Sequence, residues 1–131
     1  MSGSEVIVAI VDDDLSVRRG LERLLRSAGY RVEAFASARE FLARAGSLRP
    51  GCLVLDVSMP GQSGLHLHDA LVAGGYQIPV IFITGHGDVA TAARAMKAGA
   101  AEFLSKPFDD QVLLRAVEQA TGKRDRRRGD S

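Results

Sequence analysis

Five short apolar segments recur along this chain, each followed by a helix-period segment, at intervals of about twenty to twenty-five residues. Strict alternation of this kind predicts βα units, and βα units can only be joined as a parallel sheet with right-handed crossovers and helices on both faces. The strands are predicted at residues 6–11, 30–35, 52–56, 79–83 and 101–104. The second is less apolar than the others, which places it near a sheet edge. Residues 15–28 set Val17, Leu21, Leu24, Leu25 and Ala28 on one helical face, and Gly29 ends that helix. Ser37 is predicted to cap a short helix carrying Phe41 and Leu42, stopped by Gly46 and Pro50. A third helix covers residues 64–73 and closes on Gly74-Gly75. A fourth, alanine-rich, is capped by Asp88 and ends near Gly99. In it Ala92, Ala93 and Met96 read as core. The last runs from Asp109 to about Thr121, with Val112, Leu113, Ala116, Val117 and Ala120 as its apolar face.

In open α/β sheets ligands bind at the carboxyl ends of the strands, so the residues there carry the chemistry. The first strand runs into Asp12-Asp13-Asp14, the third ends on Asp56, the fourth leads to Thr84, and the fifth leads to Lys106-Pro107. Carboxylates crowded at one edge repel, and a divalent cation relieves that repulsion. Mg²⁺ takes oxygen ligands and retains water, so a few carboxylates, a carbonyl and a phosphate oxygen suffice to hold it. Lys106 would add a point charge and Thr84 a hydroxyl donor for phosphoryl oxygens. A carboxylate such as Asp56 can be the nucleophile that forms an acyl phosphate.

Composition narrows the class. At 131 residues and 46% hydrophobic, with a net charge of +1, the chain fits one globular domain. No apolar run approaches the ~20 residues that span a bilayer, and no signal-peptide pattern opens the chain. The single cysteine, Cys52, reads as a small buried hydrophobe in a reducing compartment, which points to a cytoplasmic protein without membrane contact. Residues 122–131 carry five basic and two acidic side chains, a local charge of +3 against −2 for the body. With no aromatic residue among them, these charges read as a solvated tail or the start of a linker, not as a nucleic-acid surface.

The chain resembles the receiver domain of two-component response regulators over residues 5 to about 121. The resemblance is carried by Val11-Asp12-Asp13, Leu55-Asp56 followed by Met59-Pro60-Gly61, Ile83-Thr84-Gly85, and Phe103-Leu104-Ser105-Lys106-Pro107-Phe108. Residues 83–89 and Lys106-Pro107-Phe108 are especially similar to receivers of the FixJ type, which precede a helix-turn-helix output domain. The resemblance implies a flavodoxin-like (βα)5 fold of strand order 2-1-3-4-5, with a receiver over residues 1–121. It makes Asp56 the phosphoacceptor, Asp13 a direct Mg²⁺ ligand, Asp12 a ligand through water, and the Ser58 carbonyl another ligand. Thr84 and Lys106 would contact the phosphoryl group, and Phe103 would be the aromatic that moves inward with Thr84. The Lys106-Pro107 bond would be cis.

The implied donor is a phosphohistidine on a sensor histidine kinase. The implied output is a changed surface of helix four, strand five and helix five, with phosphorylation-dependent homodimerisation. DNA would be reached only through a further domain. Such a chain catalyses its own modification and is otherwise no enzyme. Ser58 and His86, each two residues past a key position, lie where the family tunes dephosphorylation, so His86 is expected to affect the lifetime of the acyl phosphate.

Residue by residue, plainer roles compete. Asp14 directly precedes a helix and suits its cap. His66 and His68 stand at i and i+2, on different helix faces, and do not make a metal pair. Two other functions are open at this point. A free-standing receiver would act by protein contact alone. A haloacid-dehalogenase-like phosphatase would use Asp12 as nucleophile and Asp14 as general acid, but it leaves Asp56 and the Met-Pro-Gly turn unexplained.

Overall fold

The computed structural model describes residues 6–57, 63–85 and 89–122. Ser58, the Met59-Pro60-Gly61 turn, His86, Asp88 and residues 123–131 lie outside the described residues. Strands β1 (Ile7–Val11), β2 (Arg31–Phe35), β3 (Cys52–Asp56), β4 (Val80–Thr84) and β5 (Glu102–Ser105) alternate with helices α1 (Leu15–Ser27), α2 (Ala38–Leu48), α3 (Gly64–Ala73), α4 (Val89–Lys97) and α5 (Asp110–Thr121). All strand pairs are parallel, and the order is β2-β1-β3-β4-β5. This is the flavodoxin-like order, with less apolar β2 at one edge and β5 at the other.

β3 and β4 are buried at all five positions, as strands covered on both faces must be. Alternate residues feed two cores. Ala9, Val11, Leu53, Leu55, Val80 and Phe82 pack with Phe41, Leu67, Leu71 and Ala95 beneath α2, α3 and α4. Val8, Ile10, Cys52, Val54, Ile81 and Ile83 pack with Leu21, Leu25, Leu113 and Val117 beneath α1 and α5. Cys52 is buried, and burial pushes its thiol up to about 12.

Caps set the helix boundaries. Asp14, Ser37, Ser63 and Asp109 each accept a backbone N–H from the first turn of the helix they precede. Asp109 is therefore the cap of α5 and not its first residue. Gly29, at φ +96°, follows α1 as expected.

Three further expectations are corrected. Gly46 does not stop α2, which continues to Leu48 and ends on Arg49 at φ 50°. A helix-interior glycine costs only about 1 kcal/mol against alanine, and here a Cβ would sit 3.3 Å from the Tyr76 hydroxyl. On α4, Ala92 is half-buried, Ala93 is exposed and Met96 is 46% exposed. Only Ala95 is buried. A nine-residue helix crossing one edge of a sheet turns a narrower stripe inward than its composition suggests. On α5 the apolar face is likewise uneven, with Leu113 and Val117 buried and Val112 41% exposed.

Candidate functional site

The carboxyl edge of the three central strands assembles the site. Asp12 follows β1 directly, and its backbone N–H reaches the Phe35 carbonyl of neighbouring β2 at 3.2 Å, which continues the ladder by one residue. Its side chain is fully buried, and every oxygen is engaged. Oδ1 accepts the Asp14 N–H at 2.9 Å, Oδ2 lies 3.4 Å from Lys106 Nζ, and the carbonyl accepts Arg18 Nη1 at 2.8 Å. Asp56, at the end of β3, is 5% exposed, and Asp13 is exposed. One carboxylate oxygen from each of Asp12, Asp13 and Asp56 lies within 4.8 Å of the others. Three negative groups so close, with Lys106 spent on the innermost, match the oxygen donor set of a hard divalent cation.

Thr84 ends β4 at 4% exposure, and its carbonyl accepts the Lys106 N–H at 2.7 Å. That bond holds the Lys106 backbone against the end of β4, while the Lys106–Pro107 peptide is cis, as expected. Asp12, Asp13, Asp56, Thr84 and Lys106 are thus all brought to one edge; Ser58 falls outside the described residues. Phe103, on β5, is half-buried, with its ring 6.3 Å from that of Phe82 at 42°.

Asp14 takes the plainer of its two roles. Its Oδ1 accepts from Ser16 and Val17 N–H at 2.9 and 3.3 Å, capping α1. A carboxylate spent on a helix cap is not a poised general acid, and the Asp12 carboxylate is tied to the Asp14 N–H and to Lys106, so neither supports the phosphatase reading. His66 is exposed and His68 buried, so they do not form a metal pair.

Two residues of the site are not apparent from the motifs. Arg18, one helical turn past the Asp14 cap, ties the start of α1 to the Asp12 carbonyl. Gly64 donates its N–H to the Val57 carbonyl at 2.8 Å. A Cβ at Gly64 would overlap the Asp56 carbonyl oxygen and crowd Val57 Cα at 3.0 Å. Glycine at the first position of α3, where it weakens a helix, was the available signal of that close approach.

The sequence profile of the response regulator receiver domain matches residues 8–118, and the chain belongs to that family. Nodulation protein W of Bradyrhizobium diazoefficiens is 52% identical over 130 residues, which cover 99% of this chain and 57% of that protein. The transcriptional regulatory protein FixJ of Rhizobium meliloti is 46% identical over 118 residues, covering 90% of this chain and 58% of FixJ. A solved structure of FixJ-N superposes with a TM-score of 0.85 at 46% identity, covering 90% of this chain and 94% of that one. The chain thus spans a little over half the length of these curated relatives. It is a signalling receiver of a two-component system, homologous to response regulators that include FixJ.

Proposed function

We propose that Asp56 accepts a phosphoryl group from a phosphohistidine of a sensor histidine kinase and holds it as an acyl phosphate. The observation that carries this reading is the cluster of three carboxylates within 4.8 Å, with Lys106 beside it, at the end of β3. A carboxylate oxygen of Asp56 attacks phosphorus as the bond to the imidazole nitrogen breaks, and the donor histidine is released. Asp13 and Asp56 would hold Mg²⁺ directly and Asp12 through water, and the carbonyl of Ser58, which lies outside the described residues, would join them. When bound, Mg²⁺ cancels charge on the carboxylates and the phosphoryl oxygens. Lys106 pairs with the phosphoryl oxygens from the side of Asp12, and the Thr84 hydroxyl donates to them. Burial of Asp12, Asp56 and Thr84 keeps water from competing for these contacts.

Thr84 is drawn toward the phosphoryl group and Phe103 turns inward, which alters the face made by α4, β5 and α5. Support for a partner surface there comes from Val89 at 82%, Met96 at 46% and Val112 at 41% exposure. On this reading the phosphorylated chain pairs with a second copy through that face, and residues 122–131 are the start of a linker. Since the curated relatives are more than half as long again and include a transcriptional regulator, DNA is bound by a further domain and not by this one. The reducing cytoplasm is where it works; among the described residues no helix is long and apolar enough to cross a membrane.

The test is intact mass after incubation with acetyl phosphate and Mg²⁺. One added phosphoryl group is expected for the wild type, none without Mg²⁺ and none for Asp56→Asn. Labelling that survives Asp56→Asn refutes the assignment. Equal sedimentation mass with and without a phosphoryl mimic refutes the dimer.

A further inference from the structure

His68 is a buried titratable group that the phosphoryl chemistry leaves unused. Helix α3 turns Gly64, Leu67, His68 and Leu71 toward the sheet, and His68 is only 4% exposed. Its Nδ1 is buried with no hydrogen-bond partner among the described residues. Leaving a buried imidazole nitrogen unpartnered is unfavourable, and a leucine would fill such a place without that penalty.

What the imidazole does touch is specific. It stands edge-on to Phe82, with ring centroids 5.5 Å apart and planes at 89°. Phe82 is fully buried in the middle of β4 and is in register with Phe103 on β5. The rings form one column, His68–Phe82–Phe103, from α3 to the edge strand.

We propose that His68 is a positioning residue of the switch, coupling the charge state of a ring on α3 to the place that Phe103 takes on β5. The proposal rests on the reading of Phe103 as the moving aromatic. Neutral imidazole fits the apolar contact with Phe82, whereas imidazolium requires water or an acceptor that the column lacks. Protonation therefore drives the ring out of the contact, removes lateral support from Phe82, and releases Phe103. Close packing makes such a rearrangement a discrete repacking. Burial holds the His68 imidazole below its usual range, and Asp69 on the same helix opposes that.

No other charge faces it among the described residues. On this side of the sheet β4 presents Val80 and Phe82, followed by Thr84, and β5 presents Phe103. On α4 Ala95 is buried while Arg94 and Lys97 are exposed, and Glu102 on β5 is exposed. Coupling is reciprocal, so the position of Phe103 must in turn alter the proton affinity of His68.

The experiment is an NMR titration of the unphosphorylated full chain from about pH 8 to pH 4.5, following the His68 imidazole and the Phe103 ring by selective labelling. The Phe103 signals are expected to move on the same one-proton curve as His68, with a midpoint below 6.5, and to be flat in His68→Leu. Should His68→Leu fail to fold, His68→Gln gives the same flat profile. The curve is expected to persist in Asp56→Asn, which separates this inference from the assignment of the phosphoacceptor. Phe103 signals that stay fixed while His68 titrates overturn the coupling. So does an imidazole that remains neutral down to acid unfolding, or a curve that survives His68→Leu or vanishes in Asp56→Asn.

Discussion

Gly64→Ala tests whether the start of α3 sets the position of Asp56 at the end of β3. The added Cβ would overlap the Asp56 carbonyl oxygen, with Val57 Cα at 3.0 Å and the Asp56 carbonyl carbon at 3.1 Å. These are backbone atoms, so no side chain can rotate to make room. Overpacking of this kind costs about 1–3 kcal/mol, toward the upper end where backbone must shift. The helix propensity gained on replacing glycine offsets at most ~1 kcal/mol. The net loss is about 2 kcal/mol, or roughly 8 °C in Tm for a domain of this size.

The displaced atoms belong to Asp56 and to Val57, whose carbonyl accepts the Gly64 N–H. Labelling by acetyl phosphate should therefore slow together with the loss of stability. Gly20→Ala is the matched control. Gly20 lies within α1, and a Cβ there meets nothing within 4 Å. The same substitution at that position should stabilise by about 0.5–1 kcal/mol and leave labelling unchanged. Thermal unfolding by circular dichroism and intact mass over time read both effects. If Gly64→Ala unfolds within about 2 °C of the wild type and labels at the same rate, the close approach does not hold Asp56 in place.

Two further outcomes follow from the burial of charged and reactive groups. Carboxylates about 5 Å apart repel by roughly 3 kcal/mol at an effective dielectric near 20, less where solvent screens them as at Asp13, so Asp56→Asn should raise Tm in EDTA. Added Mg²⁺ should raise Tm of the wild type more than that of the variant, and a lower Tm for Asp56→Asn in EDTA would refute a repulsive cluster. The Cys52 thiol, buried and pushed from 9.0 to about 12, should resist a thiol reagent at pH 8 until the protein unfolds. Its ionisation in the unfolded chain alone should erode stability as pH rises above about 9, and rapid native labelling of Cys52 would contradict its burial.

Much of this protein is legible without coordinates because βα alternation is a strong local signal. Period-two and period-3.6 patterns, the caps Asp14 and Ser37 that start α1 and α2, and the glycine after α1 each depend on near neighbours in sequence. Once five such units alternate, parallel pairing leaves few topologies, and chemistry at the strand ends must converge on one edge. That Asp12, Asp13, Asp56, Thr84 and Lys106 share one edge is legible for that reason.

Tertiary packing decided what lies across the sheet or between helices. It passes Gly46 through the middle of α2 and leaves Ala93 and Met96 exposed, because how far a helix buries its apolar residues depends on what it covers. It joins Arg18 to the Asp12 carbonyl and presses Gly64 against Asp56, contacts whose distances no local pattern encodes. It also sets His68 against Phe82 and Phe82 against Phe103, from three elements that only the fold makes neighbours. Local sequence determines which elements form and which ends carry chemistry. Which side chains meet, and at what separation, is settled when the two faces of the sheet are packed.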